Sequence, residues 1–239
     1  MTKTTLSEVA KQAIGAKKPT KADAHLIIQD LIQSNALSLR DAVALYTYFR
    51  PPIPKKAKTD MDWVAKAIGK GDVRAYLNYL YSTGDRIAAT DGHRLHIIKN
   101  PDEKKYPEGS YLDVSGVVVS DVEDFGFKYP NIDRVIPPED NQEEVDTQEV
   151  EQVMARHNPD SKLAEAVTLL PLPVEINGMR QVACSTKYFL DATNQLEEGY
   201  RLFVGLGDIT PIIRVVHGNR TAIIMPLRGF VKQGGGYHE

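Results

Sequence analysis

Apolar residues recur at helical spacing three times within the first fifty positions. Leu6, Val9, Ala10, Ala13 and Ile14 share one face behind the capping box Thr5-x-x-Glu8. Ala24, Ile27, Ile28, Leu31 and Ile32 form a second stripe from about Thr20, and Leu39, Ala42, Val43 and Tyr46 a third behind Ser38, with Asp41 in its first turn. Pro51-Pro52-Ile53-Pro54-Lys55-Lys56 then stops the helix, because proline removes a backbone donor, and continues as an extended basic linker. Adjacent short amphipathic helices of this kind suit either simple packing or a helix-turn-helix DNA reader.

After the linker the period changes. A short helix is expected over residues 61–68, ending at Gly69-Lys70-Gly71, and then a β-rich run over 74–81 with Leu77, Tyr79 and Tyr81 on one face. Ser82-Thr83-Gly84-Asp85 supplies a turn into a second strand that runs through Ile98. Further strands are expected at 111–119, near 125–129 and at 167–183, where Pro171 and Pro173 confine part of the run to an edge or a loop. The acidic stretch 143–156 reads as a solvated helix or a disordered insert. A helix over 185–196 and strands at 200–206, 211–217 and 221–226 complete the pattern, with His217-Gly218-Asn219-Arg220 as a hairpin turn and the Gly234-Gly235-Gly236 tail disordered. Periodicity gives an α+β class.

A chain of 239 residues is long enough to bury a core as one large domain or two small ones. It has no apolar run of about 18 residues and no apolar core behind Met1-Thr2-Lys3-Thr4-Thr5, so a soluble cytoplasmic protein without a membrane span is expected. The single Cys184 excludes an intrachain disulfide and a zinc site built on paired thiolates. The net charge of −3 hides a polarity. Residues 1–60 carry ten basic side chains against five acidic, with clusters at Lys17, Lys18, Lys21 and at Lys55, Lys56, Lys58. Residues 139–151 hold seven carboxylates and no basic group. Such polarity suits either a protein with one face toward DNA or ordinary solvated charge.

No catalytic constellation emerges. Asp91, His93 and His96 lie close in sequence, but Asp-Gly-His at a strand turn is explained by turn chemistry, and no further cluster has metal-ligand spacing. Gly69-Lys70-Gly71-Asp72 lacks the full phosphate-loop run, and there is no nucleophile elbow, dinucleotide fingerprint or kinase-like set. The expectation is a binding protein that is not an enzyme, with no catalytic residue, no metal and no cofactor.

Three separated stretches carry a more specific signal: Ala89-Thr90-Asp91-Gly92-His93-Arg94-Leu95, Arg134-Val135-Ile136-Pro137 and Met225-Pro226-Leu227-Arg228. Asp72-Val73-Arg74-Ala75-Tyr76-Leu77-Asn78, Tyr129-Pro130-Asn131-Ile132-Asp133, Lys187-Tyr188-Phe189-Leu190-Asp191-Ala192 and Thr221-Ala222-Ile223-Ile224-Met225-Pro226 accompany them in order. Together they resemble the bacterial β-type DNA polymerase sliding clamp (processivity factor) family, in patches across residues 60–229.

The resemblance implies a DNA-clamp fold of repeated helix plus antiparallel strands. An N-terminal helical extension and linker would occupy 1–56, clamp-like units 57–137 and 138–229, and a flexible tail 230–239. It also implies a peptide groove. Leu77, Thr90, Gly92, Leu95, Pro137, Ile223, Met225 and Leu227 would wall it beside Pro226, while His93, Arg94 and Arg228 would edge it and meet carbonyls or carboxylates of a partner tail. For any one of these apolar residues, ordinary core is the competing assignment. Partners would be a DNA polymerase or other replication proteins, carrying short hydrophobic motifs. Double-stranded DNA would be held independently of sequence by Lys66, Lys70 and Lys187 on inner helices, supplemented by Lys55, Lys56 and Lys58.

The chain departs from the family in length. Residues 60–229 are too few for the three domains of a bacterial clamp chain and tight for two. The segment between Tyr111 and Pro130 lacks an expected second helix, and that between Pro138 and Ile176 lacks a full set of leading strands. Two classes stay open: an abridged clamp that encircles DNA as a homo-oligomer, and a clamp-like adaptor or decoy that binds replication proteins without enclosing DNA.

Overall fold

The structure, a computed structural model, describes residues 53, 55–70, 72, 74–114, 116, 118–120, 128–147, 150–154, 166–176, 179–194, 199–205 and 211–227. The three N-terminal helices, most of the strand expected near 125–129, Arg228 and the tail lie outside these residues. The strands in chain order are β1 Leu80–Ser82, β2 Arg86–Thr90, β3 Arg94–Lys99, β4 Tyr111–Leu112, β5 Val118–Ser120 and β6 Gln142–Val145. They continue as β7 Glu151–Met154, β8 Ala166–Ile176, β9 Met179–Ser185, β10 Arg201–Gly205, β11 Ile212–His217 and β12 Arg220–Ile224. The helices are α1 Asp60–Ala65 and α2 Thr186–Thr193. The described residues are thus mostly antiparallel sheet with few helices. They form two units, one holding residues up to Gly92 with Lys99–Pro130, the other His93–Ile98 with the residues from Asn131 onward.

In the first unit, a capping box starts α1. Thr59 Oγ1 accepts from Asp62 N–H at 3.1 Å, and Asp62 Oδ2 accepts from Thr59 N–H at 3.1 Å. Trp63, Val64 and Ala65 are buried, and the helix runs out where Gly69 N–H donates to Leu77 C=O at 2.7 Å. The sheet order here is β5-β4-β1-β2. The strand expected over 74–81 is half wrong, because Ala75–Asn78 is a 3₁₀ helix. Asn78 accounts for it: its Oδ1 accepts from Asp72 N–H at 3.0 Å and its Nδ2 donates to Asp72 C=O at 2.8 Å. These local side-chain bonds fold the chain back where a ladder would need it extended. Tyr81 stacks on Tyr129 with ring centroids 4.4 Å apart, and Tyr111, fully buried beside them, has its phenol pushed up to about 12 by burial.

In the second unit, strands run β3-β12-β11-β10-β6, and a separate sheet runs β7-β8-β9. The hairpin between β11 and β12 closes at the pair His217–Arg220, with Gly218 at φ 55°. Neither form expected for the acidic stretch occurs in its described part: β6 pairs with β10 and β7 with β8. With β8 they also supply strands expected to be missing between Pro138 and Ile176. The helical expectation failed because one strand face suffices to seat β6. Val145 is buried, while Glu143 and Glu144 stand exposed on the sheet's edge strand, where charge discourages further pairing. Arg201 holds Glu144 through two bonds of 2.9 Å, keeping that carboxyl below its ordinary pKa. Pro171 falls where β8 has run past β7, whose pairing stops at Leu169, so the missing proline donor costs no bond on that side.

Candidate peptide-binding surface

Pairing register sorts the second unit's larger sheet into two faces. Ile223 lies opposite Leu95 and Arg214, while Ile224 lies opposite Arg94 and Ile213. Because side chains alternate along a strand, Arg94, Ile224, Ala222, Ile213, Val215, Val204 and Leu202 share a face that is buried throughout. Leu95, Ile223, Arg214, Ile212 and Phe203 share the other. There Leu95 and Ile223 are buried, but Arg214, Ile212 and Phe203 are only half-buried.

The chain leaves β12 along this second face. Met225 N–H donates to His93 C=O at 2.9 Å, carrying the β3–β12 register one step past the pair Ile224–Arg94. Two residues on, Leu227 N–H donates to Ala183 C=O at 2.8 Å, and its side chain packs on Val167, Leu169 and Ala183. Residues 225–227 therefore bridge β3 and β9. Met225 itself is 40% exposed, a large apolar side chain in water at the end of a well-paired strand.

Pro137 follows the 3₁₀ turn Ile132–Val135 and packs on β10 at Gly205, where an added Cβ would come within 2.7 Å of its ring. Gly205 pairs with Ile212, on the face of Ile223. Within this unit His93, Leu95, Pro137, Ile223 and Met225 thus belong to one side and one end of the strand array, while Pro226 and Leu227 carry the chain on to β9. Leu77, Thr90 and Gly92 belong to the first unit. There Leu77 is buried, Thr90 Oγ1 accepts from Gly92 N–H at 3.0 Å, and Gly92 holds φ 89° beneath the Arg74 guanidinium. Arg228 lies outside the described residues.

Arg94 is placed differently from the groove edge expected of it. Its side chain is buried, with Nη1 donating to Asp191 Oδ2 at 2.6 Å and the guanidinium 4.4 Å from the Tyr188 ring centroid. Lys187 Nζ donates to the same carboxylate oxygen across one helical turn. A buried guanidinium must be paired, and α2 supplies the partner, so Arg94 fastens the helix to the sheet. Sequence reasoning missed Asp191 in this role. Its (i, i+4) spacing from Lys187 was readable, but its pairing with Arg94, 97 residues away, was not.

Of the lysines assigned to DNA, Lys66 is half-buried and its Nζ donates to Lys55 C=O at 2.6 Å, whereas Lys55, Lys56, Lys58, Lys70 and Lys187 are exposed, Lys187 while paired with Asp191. Among the described residues no group of three or more His, Cys, Asp or Glu is arranged to hold a metal, and no helix is long and apolar enough to cross a membrane. Burial raises the Cys184 thiol to about 12, which makes it a poor nucleophile.

No family model matches the chain, and no curated protein matches it. Among solved structures it is similar to bacterial DNA polymerase III β subunits. That of Pseudomonas aeruginosa aligns at 17% identity and TM-score 0.45, over 70% of this chain and 62% of that one. The Borrelia burgdorferi subunit, in complex with a natural product, aligns at 14% identity and TM-score 0.42, over 70% and 59%. The Helicobacter pylori clamp, bound to a DNA ligase peptide, aligns at 11% identity and TM-score 0.45, over 70% and 62%. The chain thus spans about three fifths of the length of each of these neighbours.

Proposed function

We propose that this protein is a sliding-clamp-like replication factor that holds partner proteins by short hydrophobic peptides at the surface around Met225 and tethers them to double-stranded DNA. The observation that carries this function is the exposure of Met225 at the His93 end of β12, next to half-buried Pro226 and Leu227. Such an apolar step beside a well-packed sheet offers a partner side chain contact area at little ordering cost, and the unbranched thioether adapts to its shape. Met225→Ala is expected to weaken binding of a short leucine-containing peptide by about 1–3 kcal/mol while the melting temperature barely moves. Isothermal titration and thermal unfolding on the same preparations check it, and unchanged affinity would remove the function.

The second class, an adaptor that does not enclose DNA, draws support from Lys66 and Lys187, whose ammonium groups are engaged within the chain. A closed ring should elute as an oligomer and lose DNA affinity when Lys55, Lys56, Lys58 and Lys70 are changed together to Gln. An adaptor should bind peptide as a monomer, with no DNA affinity to lose.

A further inference from the structure

Arg214 is an unusual occupant of the half-buried face. It lies directly opposite Ile223 in the β11–β12 register, and Met225 is the next residue on the same side of that strand. Its neighbour Arg201 is neutralised by Glu144 through two bonds of 2.9 Å. Arg214 has no such partner: among the described residues no carboxylate pairs with it. One Nη donates to neutral Gln142 at 3.3 Å, the guanidinium stands 5.9 Å from the Phe203 ring centroid, and Nε is buried without an acceptor. A buried N–H left unpaired is costly, and a fork of five donors matches a carboxylate through two parallel bonds.

We propose that Arg214 reads an acidic side chain of the bound peptide, two residues from the apolar group seated on Met225. Diagonal neighbours on adjacent strands lie about 7–8 Å apart, close to the roughly 6.7 Å between alternate residues of an extended peptide. An extended segment can therefore set an apolar side chain on Met225 and a carboxylate at Arg214 together. A carboxylate brought to the Nη side of the guanidinium would supply the charged acceptor that neutral Gln142 does not. The partner's chemistry is then an extended peptide, apolar and acidic at alternate positions. This specificity rests on the peptide-binding function proposed above.

The test uses two labelled, capped probe peptides with leucine at the anchor position and either aspartate or asparagine two residues on, titrated by fluorescence polarisation. The full chain should bind the aspartate probe about tenfold more tightly than its twin, the ratio expected when a charge-assisted pair replaces a neutral one. Arg214→Gln should bind both probes alike, and Arg214→Lys, which keeps the charge and loses the fork, should retain only part of the preference. An equal preference in wild type and Arg214→Gln, or none in wild type, overturns the assignment. If the asparagine probe binds and is weakened by Met225→Ala while no aspartate preference exists, the peptide site stands and Arg214 alone is reassigned. If neither probe binds, the underlying function fails and Arg214 with it.

Discussion

Asp191→Ala is expected to destabilise the fold by about 3–5 kcal/mol, the range for removing one partner of a buried ion pair. The change strands the Arg94 guanidinium, whose side chain is 3% exposed, without its carboxylate. Arg94→Ala should cost less, since Asp191 is partly in water and keeps Lys187. Urea unfolding of both variants checks the asymmetry, and a larger loss from Arg94→Ala would mean that stacking on Tyr188 outweighs the ion pair. The pH dependence follows from the same site. Burial works to raise the Asp191 carboxyl, but hydrogen bonds and charge from Lys187 and Arg94 more than offset it, so its folded value lies below the ordinary 3.8. A depressed folded-state pKa contributes stability that is fully present above the unfolded value and disappears as pH falls through the folded one. Wild type should therefore lose stability more steeply than Asp191→Ala in acid below about pH 4.

Leu95→Ala should cost roughly 2–5 kcal/mol of folding stability, because the side chain is 3% exposed and lies opposite Ile223 at 1%. Met225→Ala removes a side chain that is 40% exposed and should spare the fold. The two residues entered as equal candidates for a groove wall, and burial now separates them. Thermal unfolding of both variants, with peptide affinity measured on each, decides the matter. A Leu95→Ala protein with an unchanged melting temperature and lost affinity would make Leu95 a wall of the site and not part of the core.

The last three strands were legible because β10, β11 and β12 are short runs rich in β-branched and other apolar residues and Gly218-Asn219 marks a two-residue turn. Helix α1 was legible from its apolar run and the glycines beyond it, and α2 from Thr186 to Thr193 within the expected span. What escaped was set by tertiary pairing. Gln-Glu-Glu-Val carries one apolar residue, so nothing in β6 announces a strand until β10 offers it an edge. Asn78 ends a strand pattern through bonds to Asp72 that no hydrophobic count registers. At the candidate site, Met225 and Pro137 could be named from motif likeness, but the sequence could not divide exposed Met225 from buried Leu95. Nor could it distinguish Arg94, already spoken for by Asp191, from Arg214, which meets Gln142 and no carboxylate among the described residues.

The bridge made by residues 225–227 would set a limit on how a peptide at the proposed site could grip this protein. Strand edges with bare carbonyls template aggregation, and Leu227 hides both the Ala183 carbonyl and the apolar trio Val167, Leu169 and Ala183 beneath it. A partner that pried the segment loose to gain contact area would lay open a sticky edge and an oily patch in the same movement. A peptide held at the site proposed here would therefore have to settle onto Met225 with the bridge still fastened, so that the proposed attachment would be shallow and would not insert beneath Leu227.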